Sequence, residues 1–224
     1  QNSSNGAWAK SITLSWEITE EESGIAKVEY SSDNNSWNEL SKEGWNGLTR
    51  NNERNDTIYI RVTDEVGNVS NVKSTTMKID TSASSASYSI NSSTSGSNGW
   101  YKALSIKATL SDNRSGVKSA KYCTTTGSTC TPGTNASISN NAFTVTLGSN
   151  ASAQKICTEV TDNAGNTSST ICSGTYKVDT TNLTAKISAS SSGSNITVSA
   201  SGSSDGHSGI ASYQYSKDNK TWYT

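Results

Sequence analysis

The sequence predicts an all-β chain built from small two-sheet sandwiches in tandem, and three observations carry that expectation. Only 31% of the 224 residues are hydrophobic, and they fall in short alternating runs between Gly, Asn and Ser turns, the pattern of half-buried strands. A closing hairpin pattern occurs twice, at 58–68 leading to Lys78-Ile79-Asp80, and at 156–166 leading to Lys177-Val178-Asp179. A Ser-Gly landmark recurs at Ser23, Ser115 and Ser208, at intervals of 92 and 93 residues, the length of one sandwich domain. No long stretch has helical periodicity.

Taken in order, the chain opens on Asn5-Gly6-Ala7-Trp8, followed by the alternating run Ile12-Thr13-Leu14-Ser15-Trp16. Asn98-Gly99-Trp100-Tyr101 and Leu104-Ser105-Ile106-Lys107-Ala108 repeat this arrangement. Each Ser-Gly turn then precedes a strand that reaches a tyrosine six residues after the Gly, at Tyr30, Tyr122 and Tyr215. The closing hairpins turn through Asp64-Glu65-Val66-Gly67-Asn68 and Asp162-Asn163-Ala164-Gly165-Asn166, rich in residues that tolerate positive φ. Inward positions are expected at Val28, Tyr30, Ile58, Ile60 and Val62, matched by Ala120, Tyr122, Ile156, Thr158 and Val160. The domain boundaries that follow are 1–80, 81–180 and 181–224. In immunoglobulin-type strand naming, the first lacks strand A and the third stops after strand C. The expected A strands are Tyr88-Ser89-Ile90 and Lys186-Ile187-Ser188. This reads as an excerpt from a longer array. A strand supplied by a neighbouring chain is the other account.

The Ser-Gly-Ile/Val…Tyr strand, the Val-Thr-Asp-x-x-Gly-Asn turn and the Lys-Ile/Val-Asp-Thr ending resemble the bacterial immunoglobulin-like (Big-type) repeats of large cell-surface and adhesin-like proteins. The resemblance covers nearly the whole chain and specifies the fold better than any ligand. It implies tandem immunoglobulin-like sandwiches and a structural role on a bacterial surface. Such repeats often carry a proline after the Asp-Thr ending; here Ser82-Ala83-Ser84 and Thr181-Asn182-Leu183 stand there instead, which bears on junction stiffness.

All four cysteines lie between residues 81 and 180, an even set that points to disulfides and an oxidising, extracellular compartment. Cys157 and Cys172 are equidistant from the turn centre between Ala164 and Gly165, so a hairpin closed there sets them face to face. Cys123 aligns with Ser31 and Ser216, and Cys130 with the region of Trp37 and Trp222, so a Cys123–Cys130 bridge replaces a tryptophan staple. A Cys123–Cys157 cross-link is the rival, since those strands should be neighbours and both residues are expected to face outward. The zinc-ribbon spacing is missing.

The acidic loops offer a metal site. Sandwich geometry gathers Asp80 with Asp112, Asn113, Asp162 and Asn166 at one junction, and Asp179 with Asp205 at the next. Calcium prefers six to eight oxygens, and interdomain calcium is the sharper reading of these residues. The plainer one, which we favour, is that Asp and Asn form turns, because no dense Asp-x-Asp ligand run is present.

Trp8, Trp37, Trp45, Trp100 and Trp222 lie at strand ends or in loops, where aromatics cap thin cores or stack on sugars. Core capping is the favoured account, and Trp45 is the candidate for exposure and ligand binding. His207, the one histidine, sits in a short Gly-containing loop without a nucleophile elbow. No phosphate loop or metalloprotease helix is present, so no enzyme is expected. A net charge of −1 argues against nucleic acid, and no run is apolar for long enough to enter a membrane. The expected role is a stalk, adhesin arm or filament segment whose partners are neighbouring repeats. A module for a surface glycan or host protein, self-assembly, and an accessory region of a secreted hydrolase are the alternatives.

Overall fold

A computed structural model describes residues 6–224; Asn5, at the head of the first Trp opening, lies outside the described residues. The fold is all-β, with one short 3-10 turn at Lys42–Gly44 as its only helical element among the described residues. It divides into two compact units. One comprises residues 6–85 with Leu110–Ser119 and Val160–Ser169, the other Ala86–Thr109, Ala120–Glu159 and Thr170–Thr224. Along the chain, residues up to 80, 81–180 and 181–224 are called the first, middle and last segments.

The first segment contains β1 (Ile12–Ser15), β2 (Ile25–Ser31), β3 (Asn38–Glu39), β4 (Gly47–Arg50), β5 (Arg54–Asp64) and β6 (Lys73–Ile79). β1 pairs with β4, and the second sheet runs β3-β2-β5-β6. In immunoglobulin naming these are B–E and C′–C–F–G, two sheets enclosing one core. Ile12, Val28, Leu48, Ile58, Met77 and Ile79 fill it. The approach of β1 to β4 requires Gly47, because a Cβ there would meet the Leu14 carbonyl oxygen at 2.8 Å. Of the expected inward positions, Val28 and Ile58 are buried, whereas Tyr30, Ile60 and Val62 are half-buried. Glu29, on the opposite face of β2, is buried instead, accepting from Arg61 Nε at 2.9 Å and Lys27 Nζ at 3.1 Å. Arg61 also lies over the Trp37 ring at 4.1 Å.

The middle segment contains β7 (Ser85–Ser95), β8 (Trp100–Ser111), β9 (Val117–Thr125), β10 (Thr134–Asn135), β11 (Ala142–Leu147), β12 (Ala151–Asp162), β13 (Ile171–Cys172) and β14 (Tyr176–Val178). They run β10-β9-β12-β14-β8-β11, with β13 on β12 and β7 on β8. The parallel pairing of β14 with Trp100 and Tyr101 of β8 joins the two layers at one edge. Strand alternation turns Leu104, Ile106 and Ala108 of β8 inward, and Phe143, Val145 and Leu147 of β11 and Ile156 of β12 are buried as well.

The closing hairpin has the expected register, Cys157 opposite Cys172, and these bridge. Cys123 bridges Cys130. Cys157 is buried; the expectation that it faces outward, on which the rival Cys123–Cys157 cross-link rested, does not match.

The last segment contains the hairpin β15 (Ser188–Ser192) and β16 (Asn195–Ser199), with further bridges between Thr184 and Ser204 and between Tyr215 and Tyr223. The expected strand at Lys186–Ser188 begins only at Ser188. The turn at Asp218 repeats that at Asp33: each carboxylate accepts from a serine two residues earlier and from backbone N–H groups two and three residues later. In the described residues no helix is long and apolar enough to cross a membrane.

Candidate functional site

The Ser-Gly landmarks are turns that a side chain would strain: Gly24, Gly116 and Gly209 have φ of 84°, 81° and 77°. Their backbone N–H groups need acceptors, and a carboxylate supplies them in each segment. Glu20 Oε1 accepts from Glu22 and Ser23, Asp112 Oδ1 from Arg114 and Gly116, and Asp205 Oδ1 from His207 and Gly209. The hairpin tips use a second lock. Asp64 and Asp162 each take the backbone N–H and the side-chain amide of the asparagine four residues on, Asn68 or Asn166, at 2.8 Å.

A third carboxylate joins these local locks together. Asp80 follows β6 and is 0% exposed. Its Oδ1 accepts from the Ser82 N–H and its Oδ2 from the Ser115 N–H, both at 3.0 Å. Its carbonyl oxygen accepts from Asn166 Nδ2 at 2.8 Å. The Asp-Thr ending is thereby tied to the Ser-Gly turn and hairpin tip that follow it in sequence. Asp179 repeats the arrangement, taking the Thr181 N–H at 3.1 Å and the Ser208 N–H at 2.9 Å. Burial works to raise the Asp80 pKa, but hydrogen bonds from Ser115 and Ser82 outweigh it and hold the carboxyl below its ordinary range. Hydrogen bonds from Thr181 and Ser208 hold Asp179 well below that range too.

The carboxylates of Asp80, Asp112 and Asp162 converge, with one oxygen of each within 4.8 Å of the others. Asp179 and Asp205 meet through Ser208, whose N–H goes to the former and whose hydroxyl goes to the latter at 3.4 Å. Calcium requires oxygens, and the first group offers three. Of the two remaining expected ligands, Asn166 faces the wrong way, turning its NH2 toward the Asp80 carbonyl and the Asp162 carboxylate. Asn113 is exposed. Two of the carboxylates also perform tasks seen elsewhere in the chain: Asp162 repeats Asp64, and Asp112 repeats Asp205.

Around this cluster lies a polar rim that the sequence did not announce. Arg114 Nε donates to Glu53 Oε2 at 2.8 Å, and the Ser82 and Thr81 hydroxyls donate to Glu53 Oε1. The repeated Ser-Gly spacing marks Ser115 and Ser208, but nothing in a sequence shows that their main-chain N–H groups are the functional atoms.

Trp45 is half-buried against the first core. Its indole N–H donates to the Leu40 carbonyl at 3.2 Å, and its own carbonyl accepts from Trp16 Nε1. One ring edge is therefore committed to packing, with Lys42 Nζ 5.6 Å from the ring centroid. His207 is exposed.

No protein-family model matches the chain, and no curated protein sequence does. Among solved structures it is similar to the fibronectin(III)-like modules of CbhA from Clostridium thermocellum. That match has 13% identity and a TM-score of 0.31, over 79% of this chain and 93% of that one. The D00-D0 domain of intimin matches at 13% identity and a TM-score of 0.38, over 75% of this chain and 94% of that one. Chitinase ChiA74 from Bacillus thuringiensis matches at 16% identity and a TM-score of 0.27, over 88% of this chain and 27% of that one.

Proposed function

We propose that the chain is a structural spacer, a segment of a stalk, adhesin arm or filament of an extracellular bacterial surface protein. One observation carries this reading: the same carboxylate clamp occurs at Asp80 and at Asp179, each time linking a strand ending to the next Ser-Gly turn. A clamp repeated along a chain is suited to transmitting orientation from one sandwich to its neighbour. The three segments are read as Big-type repeats in a tandem array, with boundaries near Asp80 and Asp179. Two disulfides suit an oxidising extracellular environment. A polar surface and a set of carboxylates committed to backbone N–H groups favour a mechanical role over a catalytic one.

Small-angle scattering tests this. The Asp80→Ala/Asp179→Ala double variant should keep the wild-type far-UV circular dichroism spectrum but give a broader distribution of interatomic distances. An unchanged distribution rejects the clamp as the source of stiffness.

The convergence of Asp80, Asp112 and Asp162 favours a second reading in which calcium stiffens that site. Hydrogen bonds alone predict that EGTA leaves Tm and scattering unchanged. Calcium bridging predicts a Tm that rises with calcium in the wild type but not in Asp162→Asn.

A further inference from the structure

We infer that the two disulfides of the middle segment are one exchangeable set: a small thiol that opens the Cys123–Cys130 bridge starts a transfer that re-pairs the four cysteines as Cys123–Cys157 and Cys130–Cys172. The strand register carries this. In the first segment β2 pairs with β5, and Ser31 stands opposite Tyr59. β9 and β12 are neighbours in the same way, with Cys123 in the place of Ser31 and Cys157 in that of Tyr59. Matching hydrogen bonds begin the two pairings, from the Glu65 N–H to the Gly24 carbonyl at 3.1 Å and from the Asn163 N–H to the Gly116 carbonyl at 3.0 Å. Cys157 therefore stands between two cysteines, Cys123 on β9 and Cys172 on β13. Residues opposite each other on antiparallel strands have Cα atoms about 4.5–5.5 Å apart, inside the span of about 4.4–6.8 Å that a disulfide bridges. Either neighbour is within bonding reach of Cys157.

The loop from β9 to β10 brings the fourth sulfur to the same place. Lys155 of β12 donates from Nζ to the Ser128 carbonyl at 3.2 Å, and Cys172 Sγ lies 3.7 Å from Thr129 Oγ1. The loop thus crosses β12 and meets β13 one residue ahead of Cys130, and Cys157 beneath it is 0% exposed. Cys123, Cys130 and Cys172 are half-buried, and Ser128, Thr129 and Thr131 are exposed. A small thiol therefore has access to the Cys123–Cys130 bridge from its loop end.

Exchange proceeds by attack of a thiolate on one sulfur of a disulfide while the other leaves, with the three sulfurs in a line. β9, β12 and β13 set Cys123, Cys157 and Cys172 in that order across the sheet. The added thiolate attacks Cys130 Sγ, the Cys123–Cys130 bond breaks, and Cys123 leaves as a thiolate. Cys123 Sγ attacks Cys157 Sγ, the Cys157–Cys172 bond breaks, and Cys172 leaves as a thiolate. Cys172 Sγ then attacks Cys130 Sγ, closes Cys130–Cys172 and returns the added thiol. Two disulfides are present before and after, so no oxidant or reductant is consumed. The third pairing needs Cys123 to reach Cys172 across two strand spacings, about 9–10 Å, which a disulfide does not span. Re-pairing moves the cross-links from a loop and a hairpin to a direct tie between β9 and β12. This goes beyond the spacer reading and does not depend on it.

Peptide mapping of the whole chain without reduction tests this. After hours at neutral pH with a sub-equivalent amount of reduced glutathione, and an acid quench, Cys123–Cys157 and Cys130–Cys172 peptides should appear beside the original two. The Cys123–Cys172 peptide should stay absent until urea unfolds the chain and opens every pairing. Cys130→Ser leaves Cys123 as a free thiol beside Cys157. Iodoacetamide should then label Cys123 and Cys172 within about tenfold of each other, because closure entropy differs little between loops of 15 and 34 residues. That ratio should not change on dilution, since the exchange stays within one chain. Label confined to Cys123 overturns the inference. So does a wild-type map that glutathione leaves unchanged, a glutathione adduct at Cys130 that goes no further, or all three pairings formed without urea. The wild-type map decides the matter even if Cys130→Ser fails to fold.

Discussion

Replacing Asp80 sets two large effects against each other. Its carboxylate accepts two backbone N–H groups at 3.0 Å, and one donor, Ser115, is 7% exposed. A hydrogen bond to a charged group contributes about 1.5–3 kcal/mol, so the pair amounts to about 3–6 kcal/mol. Against this stands repulsion from Asp112 and Asp162, whose oxygens lie within 4.8 Å. At an effective dielectric constant near 20, each such pair costs about 3 kcal/mol, about 6 for the two, before Arg114 and the surrounding N–H dipoles reduce it. Against burial, hydrogen bonds from Ser115 and Ser82 and the charge of Arg114 hold the Asp80 carboxyl below its ordinary range, the direction expected where attraction exceeds repulsion. Asp80→Ala should therefore cost about 2–4 kcal/mol net in urea unfolding followed by tryptophan fluorescence. Asp80→Asn separates the two effects, because it keeps one acceptor and removes the charge. It should cost less than alanine, about 1–2 kcal/mol, and still destabilise. If Asp80→Asn is more stable than the wild type, repulsion dominates and the clamp argument fails.

Other outcomes follow from the same geometry. Loops of 7 and 15 residues restrict the unfolded chain by about 2 and 3 kcal/mol, so reduction should lower Tm, and Cys157→Ser/Cys172→Ser more than Cys123→Ser/Cys130→Ser. Equal melting with and without reductant would contradict this. Arg61→Ala strips buried Glu29 of one partner and uncovers Trp37, and should cost about 2 kcal/mol in the same urea assay. Asp80 and Asp179 have lowered pKa values when folded, so their stabilisation is complete above the unfolded carboxyl value near 4. It is lost as pH falls through the folded values. Tm should drop between about pH 4 and pH 2, and Asp80→Ala should flatten that drop.

The sequence made the closing hairpins legible because a period of two and an Asp-x-x-Gly-Asn turn leave little choice of register. Gly67 and Gly165, at φ of 96° and 91°, take conformations that few other residues would accept. Cysteine spacing about that turn was enough to pair Cys157 with Cys172. Glu29 was not legible: alternation puts Val28 inward, but a long-range partner, Arg61, decides what the other face of β2 becomes. Trp45 looked exposed because its loop has no counterpart in the middle segment. A 3-10 turn at Lys42–Gly44 folds it back onto the core, and local composition does not signal that turn. For the acidic cluster, strand order brought Asp80, Asp112 and Asp162 together on paper. The donors that satisfy them are mostly main-chain N–H groups, which every sequence has and none displays.

The two disulfides also fix how far the middle segment can be drawn out once it unfolds. One closes the loop between β9 and β10 and the other ties β12 to β13, across steps of 7 and 15 residues. At roughly 3.4 Å per extended residue, several tens of ångströms of contour length stay withheld until the bonds are reduced. Pulled from its ends, the chain would release a shorter middle increment in oxidising surroundings than in reducing ones, so its extensibility reports the redox state around it.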